Sequence, residues 1–459
     1  MRLLKEFDQK NLMEIGQELH RFSTDLYPIC RSITGDGIRR TLAAVQGRVR
    51  LKISEVPTGT QVFDWTVPKE WNIRDAYIKD TRRKRVVDFQ QNSLHVLNYS
   101  VPVHTKMGLG ELRSHLFTIP EHPDWIPYRT SYYQENWGFC VSHNQLETME
   151  DGEYEVCIDS TLADGHLTYG ECYLPGHLSD EVLISCHVCH PSLANDNLSG
   201  LVVAAALAEL LSGRDLRYSY RFLFIPGTIG AITWLARNRD NVARICHGLV
   251  LTGIGDQSGF HYKKSRRGNA EIDHTVAHVL QHRAESYEIL EFSPYGYDER
   301  QYCSPGFDLP VGCLMRSVWG TFPEYHTSAD NLDFIKPQQL AQSLRVCTAV
   351  VDVLENNRRY CNLSPYCEPQ LGKWNLYRST GGEAIGLEIN ARLWVLNLSD
   401  GEHSLLDIAQ RSGLPFPAIS DAADVLRDSG LLSVVPEDVA AETQNRKVAG
   451  NVPKVTSLR

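Results

Sequence analysis

No stretch of this chain approaches the roughly 18 consecutive apolar residues that a membrane-spanning helix needs, and none is expected. Long runs of lysine and arginine are missing too, and the net charge is −10. That balance argues against a nucleic-acid binder, which must neutralise phosphates. No internal repeat is visible. The N-terminus carries charge at Arg2, Lys5, Glu6 and Asp8, too early for a signal peptide, so the expected compartment is the cytoplasm. There the twelve cysteines are expected to be reduced. Most of them, such as Cys246, Cys313 and Cys347, sit singly in apolar runs as small core residues.

What is present is the material of an ordinary soluble protein, with 42% hydrophobic and 22% charged residues. The 459 residues exceed one compact core, and about three units are expected. Residues 1–50 show apolar positions at helical spacing. From 51 to 130 short β-rich pieces are broken by prolines, the texture of a small inserted β domain. Residues 131–365 alternate strands and helices in the manner of an α/β domain. The predicted strands are Glu181–Val188, Tyr220–Ile225, Gly248–Thr252 and Leu309–Met315, with helices at Leu198–Leu211, Ala231–Arg237 and Leu340–Glu355. Residues 375–440 read as helix, glycine turn, helix and strand, a winged helix whose first helix opens on a capping box at Ser404. The polar stretch 441–459 is expected to be a disordered tail.

The richest run is Val182 to His190, a buried strand ending in imidazoles, followed by Asn195-Asp196-Asn197 and an apolar helix. Imidazole nitrogen and carboxylate oxygen are ligands for a borderline metal such as zinc. The carboxyl ends of strands are where open α/β sheets bind ligands. A second signal lies downstream, where His326 and several carboxylates follow a strand. His187, Asp196 and His326 together suffice for a catalytic metal with an open position. Cys186-His187-Val188-Cys189-His190 also matches the C-x-x-C-H pattern of haem attachment. That reading is set aside, because the motif ends a continuous apolar strand with little room for haem. A redox pair is disfavoured for the same reason, since reactive cysteines usually sit at exposed helix N-termini.

The order strand–His, Asn-Asp-Asn-x-Ser-Gly and Tyr-His-Thr-x-x-Asp resembles the di-zinc aminopeptidases of clan MH. More closely, the chain resembles bacterial aminopeptidase-like proteins of a "domain of unknown function" family. The resemblance is carried by Tyr27–Gly35, Cys189–Ser192, Pro226–Gly230, Ser265–Gly268, Asp298–Gln301 and Pro323–Thr327. It implies a three-layer α/β/α sandwich, a small β insertion and a C-terminal winged helix. It implies one or two zinc ions, with His187 binding one, His326 the other, Asp196 bridging them and a cis bond between Asp196 and Asn197. His190 is the alternative to His187, and the strand-end position favours His187.

The chain also departs from those aminopeptidases. Their two adjacent glutamates, a general base and a ligand, correspond here to Gly227-Thr228. Their third-strand aspartate falls near Gly253, which leaves Asp256 as a candidate ligand. Another carboxylate must then replace the base, and the candidates are Glu299 and Glu324. Arg266, Arg267, Arg300 and Tyr325 are candidate substrate-binding residues, the arginines for a carboxylate or phosphate. Each residue has a plainer reading: His187 as a satisfied core histidine, Glu324 as a turn cap, and Asp298 to Arg300 as a solvated ion-pair loop.

The expected function is a zinc-dependent aminopeptidase-like hydrolase. Its substrate would be a small peptide-like or N-acyl amide, in polysaccharide or natural-product biosynthesis. Two alternatives stand beside it, an inactive ligand-binding or scaffold protein and a winged-helix transcription regulator with a sensing domain. The groove-reading helix carries Asp421, Asp424 and Asp428, which phosphates would repel, so the winged helix is read as a protein-interaction module. A homodimer or a protein partner through that module is the expected association.

Overall fold

The computed structural model describes residues 3–8, 10–377 and 386–436. The expected tail at 441–459 lies outside them. The chain divides into two compact units at Ala349 and Val350.

The larger unit is organised by an eight-stranded mixed sheet. Its order is Lys52–Pro57, His166–Leu174, Ser219–Ile225, Glu181–His187, Ile245–Leu251, Val311–Met315, Phe260–Lys263 and Tyr287–Leu290. The four central strands, from Ser219–Ile225 to Val311–Met315, run parallel. Every residue of Glu181–His187 and of Ser219–Ile225 is buried. Such strands read as continuous apolar runs because helices cover both faces. The chain leaves Glu181–His187 toward one neighbour, Ser219–Ile225, and leaves Ile245–Leu251 toward the other side, Val311–Met315. A crevice therefore opens beyond the carboxyl ends of Glu181–His187 and Ile245–Leu251, the place where open α/β sheets bind ligands. The helix Gly200–Leu211, apolar on nearly all sides, is buried along almost its whole length beside this crevice.

A second sheet is antiparallel, in the order Arg85–Asp88, Glu70–Lys79, Glu153–Ala163, Val103–Gly108. This sheet runs past residue 130, where the sequence places the end of the β unit, and Lys52–Pro57 belongs to the large sheet instead. The alternation in Glu153–Ala163, with Tyr154, Val156, Ile158 and Ser160 inward, is that of a half-buried strand. Irregular chain separates it from its partners, so texture alone assigns it to the following domain. The segment 126–128 crosses to the crevice: Tyr128 N donates to His326 O at 2.7 Å and Ile126 N to Ser328 Oγ at 2.9 Å.

In the smaller unit, helices Leu387–Leu398, Leu405–Ser412 and Phe416–Asp428 accompany a three-stranded sheet, Asp400–Ser404, Arg359–Asn362 and Leu432–Val434. Ser404 and Asp407 form the capping box that starts the second helix, and Gly413 ends it in the left-handed region at φ +70°.

Candidate metal centre

The Asn195-Asp196-Asn197 turn is built by hydrogen bonds to its own side chains and to one distant carboxylate. Asn197 Oδ1 accepts from Gly200 N and Gly253 N at 3.1 Å each, while its Nδ2 donates to Leu251 O at 2.9 Å. The amide thus ties two strand ends to the start of the buried helix. A side chain at Gly200 would collide with Asn197 and with Leu251 O, so glycine is required there. Asn195 donates from Nδ2 to Asp256 Oδ2 and accepts from Gly255 N, both at 2.8 Å. Ser199 Oγ donates to Asn195 O at 2.7 Å and accepts from Ile254 N at 3.0 Å. Asp330 accepts three backbone N–H bonds, from Ala194 at 3.1 Å, Asn195 at 2.5 Å and Asp196 at 2.9 Å. Burial nevertheless pushes its pKa up to about 8. The Asp196–Asn197 peptide bond is cis, and so is Gly227–Thr228.

Three imidazoles surround the buried Asp196 carboxylate. His187 Nε2 lies 2.7 Å from Oδ1, His326 Nε2 3.0 Å from Oδ2 and His190 Nε2 3.8 Å from Oδ2. His187 ends its strand and is fully buried, and His190 is 6% exposed. Burial alone would raise the Asp196 pKa, but the imidazoles reverse this and hold it well below the usual carboxylate range. Burial drives His190 down to about 3, so its imidazole is neutral. Arg31, itself buried, fixes the His190 carbonyl with a 2.8 Å bond from Nε. His326 adopts a positive φ of 57°, and its ring stacks on Tyr325 at 3.9 Å. Tyr128 packs against His190 and His326 at ring separations of 5.2 and 5.1 Å. One donor atom each from His187, His190 and Asp196 falls within 4.8 Å of the others, and nitrogen and carboxylate donors at such spacing suit zinc. The donor set fits the ion that the resemblance implies.

Tyr297 covers one side of this cluster. Its ring stacks on His187 at 3.7 Å, and its hydroxyl lies 3.4 Å from His190 Nε2. A Cβ at Gly227 would drive into that ring and come within 3.1 Å of the His187 side chain. Tyr297 thus fills the space that a side chain at 227 would need. The next residue, Asp298, is fully buried, and neither carboxylate oxygen has a hydrogen-bond partner among the described residues. Burial raises its pKa well above the usual range.

The other residues singled out in the sequence fall into three groups. Glu299 is fully buried and held by Lys263 Nζ at 2.6 Å and by Tyr297 N at 3.1 Å, so its carboxylate anchors its own loop. Asp256 is surrounded by donors: Asn195 Nδ2 at 2.8 Å, Ser258 N at 2.8 Å, Ser317 Oγ at 3.0 Å and Ser317 N at 3.2 Å. It braces Asn195 from behind and is not among the clustered donors. Arg266 Nη1 and Arg267 Nε both bind Asp308, at 2.7 and 3.3 Å. Glu324 is half-buried two residues before His326, and its carboxylate makes no hydrogen bond or ion pair among the described residues. Arg300, half-buried in the Tyr297 loop, keeps Nε without a partner among the described residues. Sequence reasoning misses Tyr128 and Tyr297, because an aromatic ring near a site has no spacing signature. It also assigns no role to Asp330, although that residue closes the Tyr-His-Thr-x-x-Asp motif.

A cavity of about 630 Å³ is lined by Tyr27, Cys30, Ser32, Arg40, Trp71 and Ser192 among others. Ser192, bonded to Ser93 at 2.6 Å between hydroxyl oxygens, is two residues past His190.

Comparison with known proteins agrees with this architecture. A Clostridium acetobutylicum protein, named provisionally as a polysaccharide biosynthesis protein with an aminopeptidase-like domain, is 51% identical over 427 residues, covering 93% of this chain and 98% of its own. A crystal structure from the same organism, named provisionally as a peptidase, matches at 50% identity and a TM-score of 0.90, over 94% of this chain and 100% of its own. The zinc aminopeptidase BSAP of Bacillus subtilis shares the fold at 13% identity and a TM-score of 0.53, over 74% of this chain and 95% of its own. A peptidase M28 precursor from Shewanella amazonensis does so at 13% and 0.54, over 77% and 97%. Residues 358–434 match a winged helix-turn-helix model. With residues 20–357 matched by the model described as "Domain of unknown function (DUF4910)", this chain belongs to that family and carries an aminopeptidase-like α/β fold followed by a winged helix.

Proposed function

We propose that the protein is a zinc-dependent hydrolase of a peptide-like or N-acyl amide, working in the assembly of a polysaccharide or small natural product. One observation carries this reading: a buried, ionised Asp196 lies between His187, His190 and His326 at the carboxyl ends of parallel strands. Buried polar groups at this density are costly unless they bind something. The ion would be held by residues from this set, and when bound it supplies Lewis-acid polarisation of a carbonyl and acidification of water. Glu324, two residues before His326 and without a hydrogen bond or ion pair among the described residues, would take up and return the proton that Gly227-Thr228 cannot handle. Glu299 is withdrawn from that role by Lys263. Tyr325 and Arg300 border the substrate, whereas Arg266 and Arg267 are engaged by Asp308. The cavity that Ser192, two residues past His190 in sequence, helps to line would take the non-reacting part of the substrate. The name of the 51% identical relative supports the biosynthetic setting.

The covered Gly227 position supports one competing reading, a descendant that binds its ligand without turning it over. A panel of aminoacyl amides and N-acylated amino sugars separates the two. The proposal expects turnover that chelation removes and zinc restores. It also expects a fall in kcat of about 10²–10⁴-fold in Glu324→Gln with little change in KM. Saturable binding without turnover in the zinc-loaded protein selects the binding reading.

A further inference from the structure

We infer that the cavity lined by Tyr27, Cys30, Arg40 and Ser192 takes an oxyanion, a carboxylate or a phosphate, carried on a hydroxylated, sugar-like ring. The inference rests on the hydrolase reading above and deepens it, since it gives the non-reacting part of the substrate a charge.

The lining contains three charged side chains, Asp36, Arg40 and Arg74. Arg39 holds Asp36 at 3.0 Å, and Asp159 holds Arg74 at 2.6 Å. Arg40 is exposed and makes no hydrogen bond or ion pair among the described residues. A second guanidinium adds its charge from within the protein. Arg31 is 1% exposed and is held by main-chain oxygens: Nε donates to His190 O at 2.8 Å and Nη1 to Leu26 O at 2.7 Å. No carboxylate pairs with it among the described residues, and its buried Nη2 has no partner among them. The ionisable groups that act on its charge are Cys30, Cys189, Tyr128 and Tyr27. Burial pushes Cys30, Cys189 and Tyr27 up to about 12 and Tyr128 well above its usual value, so none of them is an anion at neutral pH. Tyr27 and Cys30 line the cavity, and Arg31 and Arg40 both act on the Cys30 thiol. A buried cation without a counter-ion is costly. Two uncompensated guanidinium groups acting on one cavity wall favour an anionic ligand.

The uncharged part of the lining fits a hydroxylated carrier. The Gln91 side-chain amide makes no hydrogen bond among the described residues, and Asn92 uses only Oδ1, which accepts from Leu94 N at 2.9 Å. These amides offer donors and an acceptor to hydroxyl groups, while Trp71 and Phe89 add apolar wall. The volume of about 630 Å³ falls within the roughly 300–1,000 Å³ of small-molecule sites. Arg31 also links the cavity to the imidazole cluster, because Cys30 before it lines the cavity and its own Nε holds the His190 carbonyl.

The test is isothermal titration calorimetry of the full chain with glucose, glucuronate and glucose 6-phosphate, which share a ring and differ only at its C6 substituent. One of the two acids is expected to bind at least about tenfold more tightly than glucose, and which one identifies the oxyanion. Arg40→Gln should remove that preference and leave the affinity for glucose unchanged. Gln91→Ala should weaken all three ligands by a similar factor. Equal binding of the three, or no binding of any at millimolar concentration, would overturn the inference. So would a preference that survives in Arg40→Gln, the result expected if a metal ion attracted the anion instead. Preference for an acid without turnover of any acidic amide would keep this inference and end the hydrolase reading. Turnover of neutral and acidic amides with equal kcat/KM would do the reverse.

Discussion

The contact between Gly227 and Tyr297 is the sharpest feature at the scale of single residues. The strand end that carries acidic residues in the resembled aminopeptidases carries a hydrogen here, and an aromatic ring from another loop lies against it and stacks on His187. Gly227→Ala is therefore expected to destabilise the fold by about 1–3 kcal/mol, the usual cost of overpacking a filled site. In denaturant melts, Tyr297→Ala in that background should recover part of the loss. A Gly227→Ala protein as stable as wild type would mean that the ring does not sit there. Residue chemistry also explains what the sequence reveals of the site. His187, Asp196 and His326 are legible because imidazoles and a carboxylate at strand ends are uncommon and costly. Asp256 and Asp330 are not distinguishable in the same way. Both are acidic residues in loops beyond strand ends, and only the fold shows one braced by Ser317 and Asn195 and the other accepting three backbone N–H groups.

At the scale of elements, Arg39 joins the helix Asp36–Gln46 to the strand Glu70–Lys79 through a two-pronged bond to Glu70, at 2.8 and 2.7 Å. The Arg39 guanidinium holds Glu70 down to about 2. A depressed carboxyl contributes its stability above the unfolded pKa, near 4.5, and loses it as pH falls through about 2. Unfolding free energies of wild type and Glu70→Gln should therefore converge between pH 5 and pH 2; curves that stay parallel would show that the pair contributes nothing. The central strands are legible as elements because burial on both faces leaves unbroken apolar runs, as in Glu181–His187. The winged helix is legible from its caps, Ser404 and Gly413. The strand Glu153–Ala163 is placed in the wrong neighbourhood by texture because strand pairing across irregular chain leaves no local mark.

At the scale of the whole molecule, the aminopeptidase-like fold supplies a crevice between diverging strands and this chain fills it with its own selection of side chains. The winged helix adds a face where Arg427 is paired with Asp424 at 3.0 Å and Asp428 at 2.9 Å, which leaves little positive charge for phosphates. Whether the buried imidazole–carboxylate cluster holds an ion decides between a metal-dependent hydrolase and a metal-free binding protein. The most direct measurement is metal content by inductively coupled plasma mass spectrometry, on full-length protein purified without chelator or histidine tag, with His326→Ala in parallel. Stoichiometric zinc in the wild type and its loss in the variant is the expected result. No metal in the wild type after zinc loading, or equal zinc in both proteins, would contradict it.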